Sequence, residues 1–257
     1  MNADALVILV AGLFGAVIGS FLNVCIVRLP AEQSVVRPRS RCPQCGYQIP
    51  WYDNVPVVSW LLLRGRCRSC RASIAALYPL VELATALIWA GMFWRLGPTL
   101  AAGAGAFFCT VLLGIALTDA REYIIPDEFT IGGLIVGLLI AAVGGAQALF
   151  HAAIGAAAGF ALLWIVGQAG TWAFKEEAMG GGDIKMMAMV GAFLGWQGVL
   201  LTIFLGALAG TVIFLPLTLL GKKRLVPFGV FLALGAAITY LVGPAIIRWY
   251  RGFLGGV

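Results

Sequence analysis

Charge is what this chain has least of. Asp, Glu, Lys and Arg make up only 11% of its 257 residues, against 61% hydrophobic. A water-soluble globule of this size needs far more charge on its surface, so that class is excluded and an integral membrane protein is expected. There is a single histidine, His151. It falls where an outer helix end is expected, so no serine or cysteine nucleophile has an imidazole base within reach. No HExxH motif is present, which argues against a zinc protease, and no GxGxxG loop follows a strand, which argues against a soluble dinucleotide-binding domain.

What is there is a series of long apolar runs. A span needs roughly 20 apolar residues, and about eight candidates are present, at 5–27, 77–94, 99–118, 129–149, 152–174, 186–196, 199–221 and 226–247. The fold class expected is an all-α polytopic membrane protein with a loop insertion. The sixth run is short, and the uncharged stretch from Lys185 to Lys222 is too long for one helix, so a hairpin is expected at Gly195-Trp196-Gln197-Gly198. The opening residues Met1-Asn2-Ala3-Asp4 are acidic rather than basic. That suits a first span with an exported N-terminus better than a cleaved signal peptide.

Basic residues set the orientation. The loop 28–76 carries Arg28, Arg37, Arg39, Arg41, Arg64, Arg66, Arg68 and Arg71; counting spans from it puts Arg121, Lys175, Lys185 and Lys222-Lys223-Arg224 on the same side. Only Arg95, Arg248 and Arg251 fall opposite, so both termini are expected outside and the loop in the cytoplasm. The net charge of +6 then reflects orientation and contact with an anionic lipid bilayer, and no nucleic acid partner is expected.

Within that loop, Cys42-Pro43-Gln44-Cys45 and Cys67-Arg68-Ser69-Cys70 form two CxxC knuckles 21 residues apart. Four thiolates, Cys42, Cys45, Cys67 and Cys70, suit one tetrahedral structural zinc, which would supply folding energy that a loop of modest apolar content lacks. Two disulfides are the alternative, and a reducing cytoplasm disfavours them. Cys25 and Cys109 lie inside spans and are expected to pack as small apolar residues.

Two carboxylates carry the chemistry. Asp119 closes the run 100–118, and Asp183 closes Gly180-Gly181-Gly182. Acids are costly in membrane-embedded sequence, so two at one depth on one side suggest a shared task. An aspartyl protease needs such a pair, one acting as base on water and the other as acid toward the scissile carbonyl. Gly180 and Gly182 permit close approach of substrate or of a neighbouring helix. The plain structural alternatives are a solvated helix end for Asp119 and an N-cap for Asp183. Asp127, after Pro126, suits the first turn of a helix. Lys185 either acts on Asp183 or snorkels to the interface. Glu82, early in the second span, wants a partner: an arginine of the loop, or a place in the active site.

In order along the chain come Gly19-Ser20-Phe21-Leu22-Asn23-Val24 with Arg28-Leu29-Pro30, the two knuckles, Asn54-Val55-Pro56 and Leu63-Arg64-Gly65. Then follow Tyr78-Pro79-Leu80-Val81-Glu82, Asp119 through Ile125-Pro126-Asp127, Gly180-Gly181-Gly182-Asp183-Ile184-Lys185 and Pro227-Phe228-Gly229. This series closely resembles the type IV prepilin peptidases, bifunctional leader peptidases and N-methyltransferases of type IV pilus and type II secretion systems. Ala178 stands where that family commonly has glycine, and Gly181 where it commonly has an aromatic. The GxGD pattern by itself also occurs in presenilin-like intramembrane proteases.

The resemblance implies a bacterial inner-membrane enzyme with Asp119 and Asp183 as its catalytic aspartates. Its substrate would be a prepilin or pseudopilin, whose short basic leader is cut after a glycine on the cytoplasmic side. The new N-terminal amine is then methylated from S-adenosylmethionine. The implied organisation is a first transmembrane helix over 1–29, a cytoplasmic zinc-binding loop over 30–76 and a transmembrane peptidase core over 77–257. The donor's site is not legible, and the surroundings of Gly65 or of the aspartates are the candidates. Seven of the eleven acids, Asp119, Glu122, Asp127, Glu128, Glu176, Glu177 and Asp183, crowd into the two loops bearing the aspartates and form a rim suited to a basic leader. A transporter with relay acids is the rival class, but it would place them near the midplane between inverted repeats, and none is visible. A noncatalytic scaffold docking partners through its cysteine loop is a third.

Overall fold

The computed structural model describes residues 3–176, 178–219 and 226–253. Lys222-Lys223-Arg224 and Glu177 lie outside the described residues. The helices are α1 (Ala3–Arg28), α2 (Val58–Leu62), α3 (Leu77–Leu96), α4 (Leu100–Glu122), α5 (Asp127–Val143), α6 (Ala146–Phe174), α7 (Gly181–Leu219) and α8 (Phe228–Phe253). No strand occurs among the described residues, only two isolated bridges. Among the described residues, six helices are long and apolar enough to cross a membrane: α1, α3, α4, α6, α7 and α8. α5, with 17 residues, extends about 25 Å, the lower limit for a helix that spans the ~30 Å hydrocarbon core.

α7 accounts for the rest of the difference from eight. Gly195 sits inside it at φ 69° and ψ 176°, a left-handed conformation open to glycine. An added Cβ on Gly155 of α6 would strike Gly191 and Gly195, and one on Gly159 would strike Met187 and Val199. Along α6, then, the first half of α7 runs backwards and the second half forwards, so the chain reverses at Gly195 as the sequence suggested. The first half and the break lie against α6 with backbones nearly touching, and the second half meets it through the Val199 side chain; such close helix association needs small residues because lipid supplies no hydrophobic drive between helices.

One boundary differs from expectation. The break after α5 falls at Gly144–Gly145, not near residue 150, and His151 lies inside α6. The run from 129 to 174 holds no charge, so reading charges alone could not place the break.

The chain divides into two compact units, 1–110 and 111–257, with the boundary inside α4. α3 belongs with α1 and the loop in the first unit. Gly12, Gly15 and Gly19 of α1 lie against Ala90, Trp89 and Thr85 of α3, so the two helices are antiparallel. The Asn23 amide donates to the Tyr78 carbonyl at 3.0 Å. In the second unit, Met186, Met187, Met189 and Val190 of α7 are fully buried. Thr85, Thr110 and Thr118 return their hydroxyls to carbonyls one turn earlier, the usual satisfaction of a hydroxyl in an apolar medium.

Candidate active site and metal centre

Asp119 lies near the C-terminal end of α4 and is only 6% exposed. Its Oδ2 accepts the N–H of Val230 in the first turn of α8 at 3.1 Å, with the N–H of Gly229 beside it. The positive end of a helix is a natural seat for a carboxylate. Gly229 makes this approach possible, since a Cβ there would lie 2.9 Å from that oxygen. Asp183 stands in the first turn of α7. Its Oδ1 is buried and has no hydrogen-bond partner among the described residues.

Between the two helix starts lies Ile125. An added Cβ on Gly182 would meet its Cβ at 2.9 Å, and one on Gly229 would meet its Cδ1 at 2.7 Å. The link from α4 to α5 thus inserts one side chain between the glycine before Asp183 and the glycine beneath Asp119. Gly180 is also close, with a hypothetical Cβ 3.5 Å from Asp183 Oδ2, whereas Gly181 faces open space.

The remaining candidates fall elsewhere. Lys185 Nζ reaches both carboxylate oxygens of Asp127, at 2.7 and 2.8 Å. Glu82 belongs to the first unit; it accepts the N–H of Val57 at 2.7 Å. Its partner is therefore backbone, not an arginine. Val57 has φ 61°, and Val58 N–H closes onto the Pro56 carbonyl at 2.6 Å, a γ-turn that is strained for a β-branched residue. Of the acidic rim, Glu122, Asp127, Glu128 and Glu176 are exposed.

In the cysteine loop the four Sγ atoms lie within 4.8 Å of one another, with Cys42–Cys70 at 3.8 Å and Cys45–Cys67 at 4.0 Å. Four thiolates at about 2.3 Å from a tetrahedral metal stand about 3.8 Å apart, so the cluster fits one ion and none of the six cysteines forms a disulfide. The N–H groups of Cys45 and Gln44 hold the Cys42 thiol below its ordinary pKa, and that of Tyr47 does the same for Cys45. Such bonds favour thiolate, the ligand form.

The knuckles are a repeat that spacing alone did not disclose. Arg41 bridges Gln48 as Arg66 bridges Ser73, and Ile49 N–H donates to Ser40 as Ile74 N–H does to Gly65. The residue after the second cysteine is left-handed in both, Gly46 at φ 71° and Arg71 at φ 61°. The signal was present as Arg-Cys-x-x-Cys-x-x-x-Ile, occurring twice.

An α-helical membrane protein with two converging aspartates and a separate four-cysteine cluster is thus defined. Residues 13–96 match the Bacterial Peptidase A24 N-terminal domain, and residues 106–215 match the Type IV leader peptidase family. A prepilin leader peptidase/N-methyltransferase of Aeromonas hydrophila is 39% identical, with 93% of this chain and 91% of the relative covered. Proteins of the same description from Pseudomonas aeruginosa and Burkholderia pseudomallei are 39% and 38% identical, covering 95% and 89% of this chain and 93% and 83% of the relatives. No solved structure matches. The chain belongs to the type IV leader peptidase family.

Proposed function

We propose that Asp119 and Asp183 are the catalytic pair with which this family member removes prepilin leaders, and that the same chain then N-methylates the exposed residue. The observation that carries the reading is the convergence of the two carboxylates around Ile125, one seated on the α8 N-terminus and the other with a free buried oxygen. Two carboxylates that serve one active site share one proton. One takes a proton from water as the water oxygen adds to the scissile carbonyl, and the other gives its proton to the carbonyl oxygen. Collapse of the adduct then breaks the C–N bond, with a proton passing to the leaving amine. Asp119 is fixed by Val230, while Asp183 Oδ1 remains available for a new hydrogen bond; this division favours Asp183 as the group that meets the carbonyl.

The substrate is a prepilin or pseudopilin cut after a glycine on the cytoplasmic face, its basic leader drawn by Glu122, Glu128 and Glu176. Both chain ends lie on the far side of the bacterial inner membrane. S-adenosylmethionine, when bound, supplies a methyl group to the new amine, which loses a proton to water. Cys42, Cys45, Cys67 and Cys70 hold a structural zinc; with four protein ligands it has no open position for catalysis.

The test is the intact mass of a prepilin incubated with S-adenosylmethionine and either wild-type protein or Asp119→Asn in detergent. Loss of the leader with gain of one methyl group is expected for wild type, and neither for the variant. Cleavage by both would remove Asp119 from the mechanism.

A further inference from the structure

One side chain meets both halves of the candidate active site. An added Cβ on Gly182, the residue before Asp183, would lie 2.9 Å from Ile125 Cβ and 3.5 Å from the Ile125 carbonyl oxygen. An added Cβ on Gly229 would lie 2.7 Å from Ile125 Cδ1 and 2.9 Å from Asp119 Oδ2. The starts of α7 and α8 can therefore close on Ile125 only because each presents a residue without a side chain. All of these residues belong to the second unit.

Ile125 is also held in place. Tyr123 ends α4 in a left-handed conformation, φ 56°, and its N–H donates to the Asp119 carbonyl at 3.0 Å, so the chain turns sharply straight after the helix. Pro126 fixes the far end. It is buried, it restricts the backbone of the residue before it to extended conformations, and its carbonyl accepts the N–H of Phe129 at 3.2 Å. The ion pair of Asp127 with Lys185 ties the next residue to α7. A β-branched side chain has little freedom at χ1, so Ile125 does not swing aside. Unlike Pro126 it is partly exposed, and so it borders the accessible space beside the aspartates.

For cleavage, the scissile carbonyl must come within hydrogen-bond reach of the carboxylates. The Cα that bears this carbonyl is one bond away, ~1.5 Å, and a Cβ is one bond further. A Cβ there enters the space that Ile125 already denies to Gly182 and Gly229. The substrate residue before the cut is then the third at this point with no room for a side chain.

We propose that Ile125 is a specificity-determining residue, the wall that excludes a side chain from the residue before the scissile bond and so requires glycine there. This rests on the reading that Asp119 and Asp183 cut a prepilin after a glycine.

Two prepilins that differ only in having glycine or alanine before the cut test it, with kcat/KM for leader cleavage by the full-length protein in detergent measured on each. Wild type should cleave the alanine substrate about 100-fold less efficiently. Ile125→Val, which lacks Cδ1, should raise the ratio of alanine to glycine cleavage about three-fold, and Ile125→Ala about ten-fold or more. Loss of packing alone slows both substrates alike and leaves the ratio unmoved. An unchanged ratio in both variants would overturn the proposal and assign the glycine requirement to backbone conformation. Loss of glycine-prepilin cleavage in both would overturn it too, since Ile125 would then serve the aspartates rather than select the substrate. The underlying reading fails differently: wild type would cleave the alanine prepilin as fast as the glycine one, or Asp119→Asn would still cleave.

Discussion

Lys185, two residues beyond Asp183, turns its ammonium onto Asp127 and grips both carboxylate oxygens across 58 residues of chain. Both side chains are about half exposed. The pair joins the first turns of α5 and α7, on which Ile125 and Asp183 depend for position. An exposed ion pair is worth about 0–1 kcal/mol, so Lys185→Met should barely shift the melting temperature yet slow cleavage a few-fold. The exchange Asp127→Lys with Lys185→Asp should restore most of the rate. Direct action of Lys185 on Asp183 or on substrate would leave the exchanged protein as slow as the single variant.

Gly229→Ala places a methyl group 2.9 Å from Asp119 Oδ2 and against Ile125. The carboxylate must then leave the Val230 N–H. Because geometric precision of this kind governs the chemical step, kcat is expected to fall at least about ten-fold with KM little changed. Gly181→Ala meets open space and should be nearly silent in the same assay. Equal losses from both would show that the glycines act through backbone freedom rather than through Asp119.

Metal analysis of purified protein should find one zinc per chain. Serine at any one of Cys42, Cys45, Cys67 or Cys70 should lower that content and render the loop sensitive to protease. Serine at Cys25 or Cys109, buried in helices, should leave zinc content unchanged. Full zinc content after two ligand substitutions would exclude the cluster as the binding site.

The loop should also show an acid transition. Arg68 holds the Asp53 carboxyl below its ordinary pKa through paired hydrogen bonds. A carboxylate with a depressed folded-state pKa stabilises the fold fully above its unfolded pKa, near 4. That contribution fades as pH falls through the lower, folded value. Limited proteolysis of the zinc-loaded wild-type loop should therefore accelerate below about pH 4. Asp53→Asn should be cut faster at neutral pH and show less of this dependence. An identical pH response in the two proteins would remove the ion pair as its source.

Reading the sequence went furthest where the signal is local. CxxC spacing announced the cysteine cluster because ligands three residues apart already share a turn, and the scarcity of charge marked Asp119 and Asp183. It went less far where partners are remote. Glu82 could be seen to need a partner, but not that the partner was the N–H of a strained Val57 in a loop 25 residues away. Pro227-Phe228-Gly229 stood out as a motif, yet nothing adjacent to it said that Gly229 makes room for a carboxylate 110 positions earlier. The break at Gly144–Gly145 was hidden because charge was the only punctuation being read.

By itself, then, the sequence determined the solvent, the helices and the chemical inventory, since hydropathy, spacing and scarce carboxylates act over one or two turns. Only the tertiary structure decided how the inventory is paired: Asp119 with the start of α8, Lys185 with Asp127, Glu82 with the loop, and α1 with α3. Those pairings depend on how closely helices approach, and in an apolar medium that is set by small residues meeting across distant segments rather than by any local pattern.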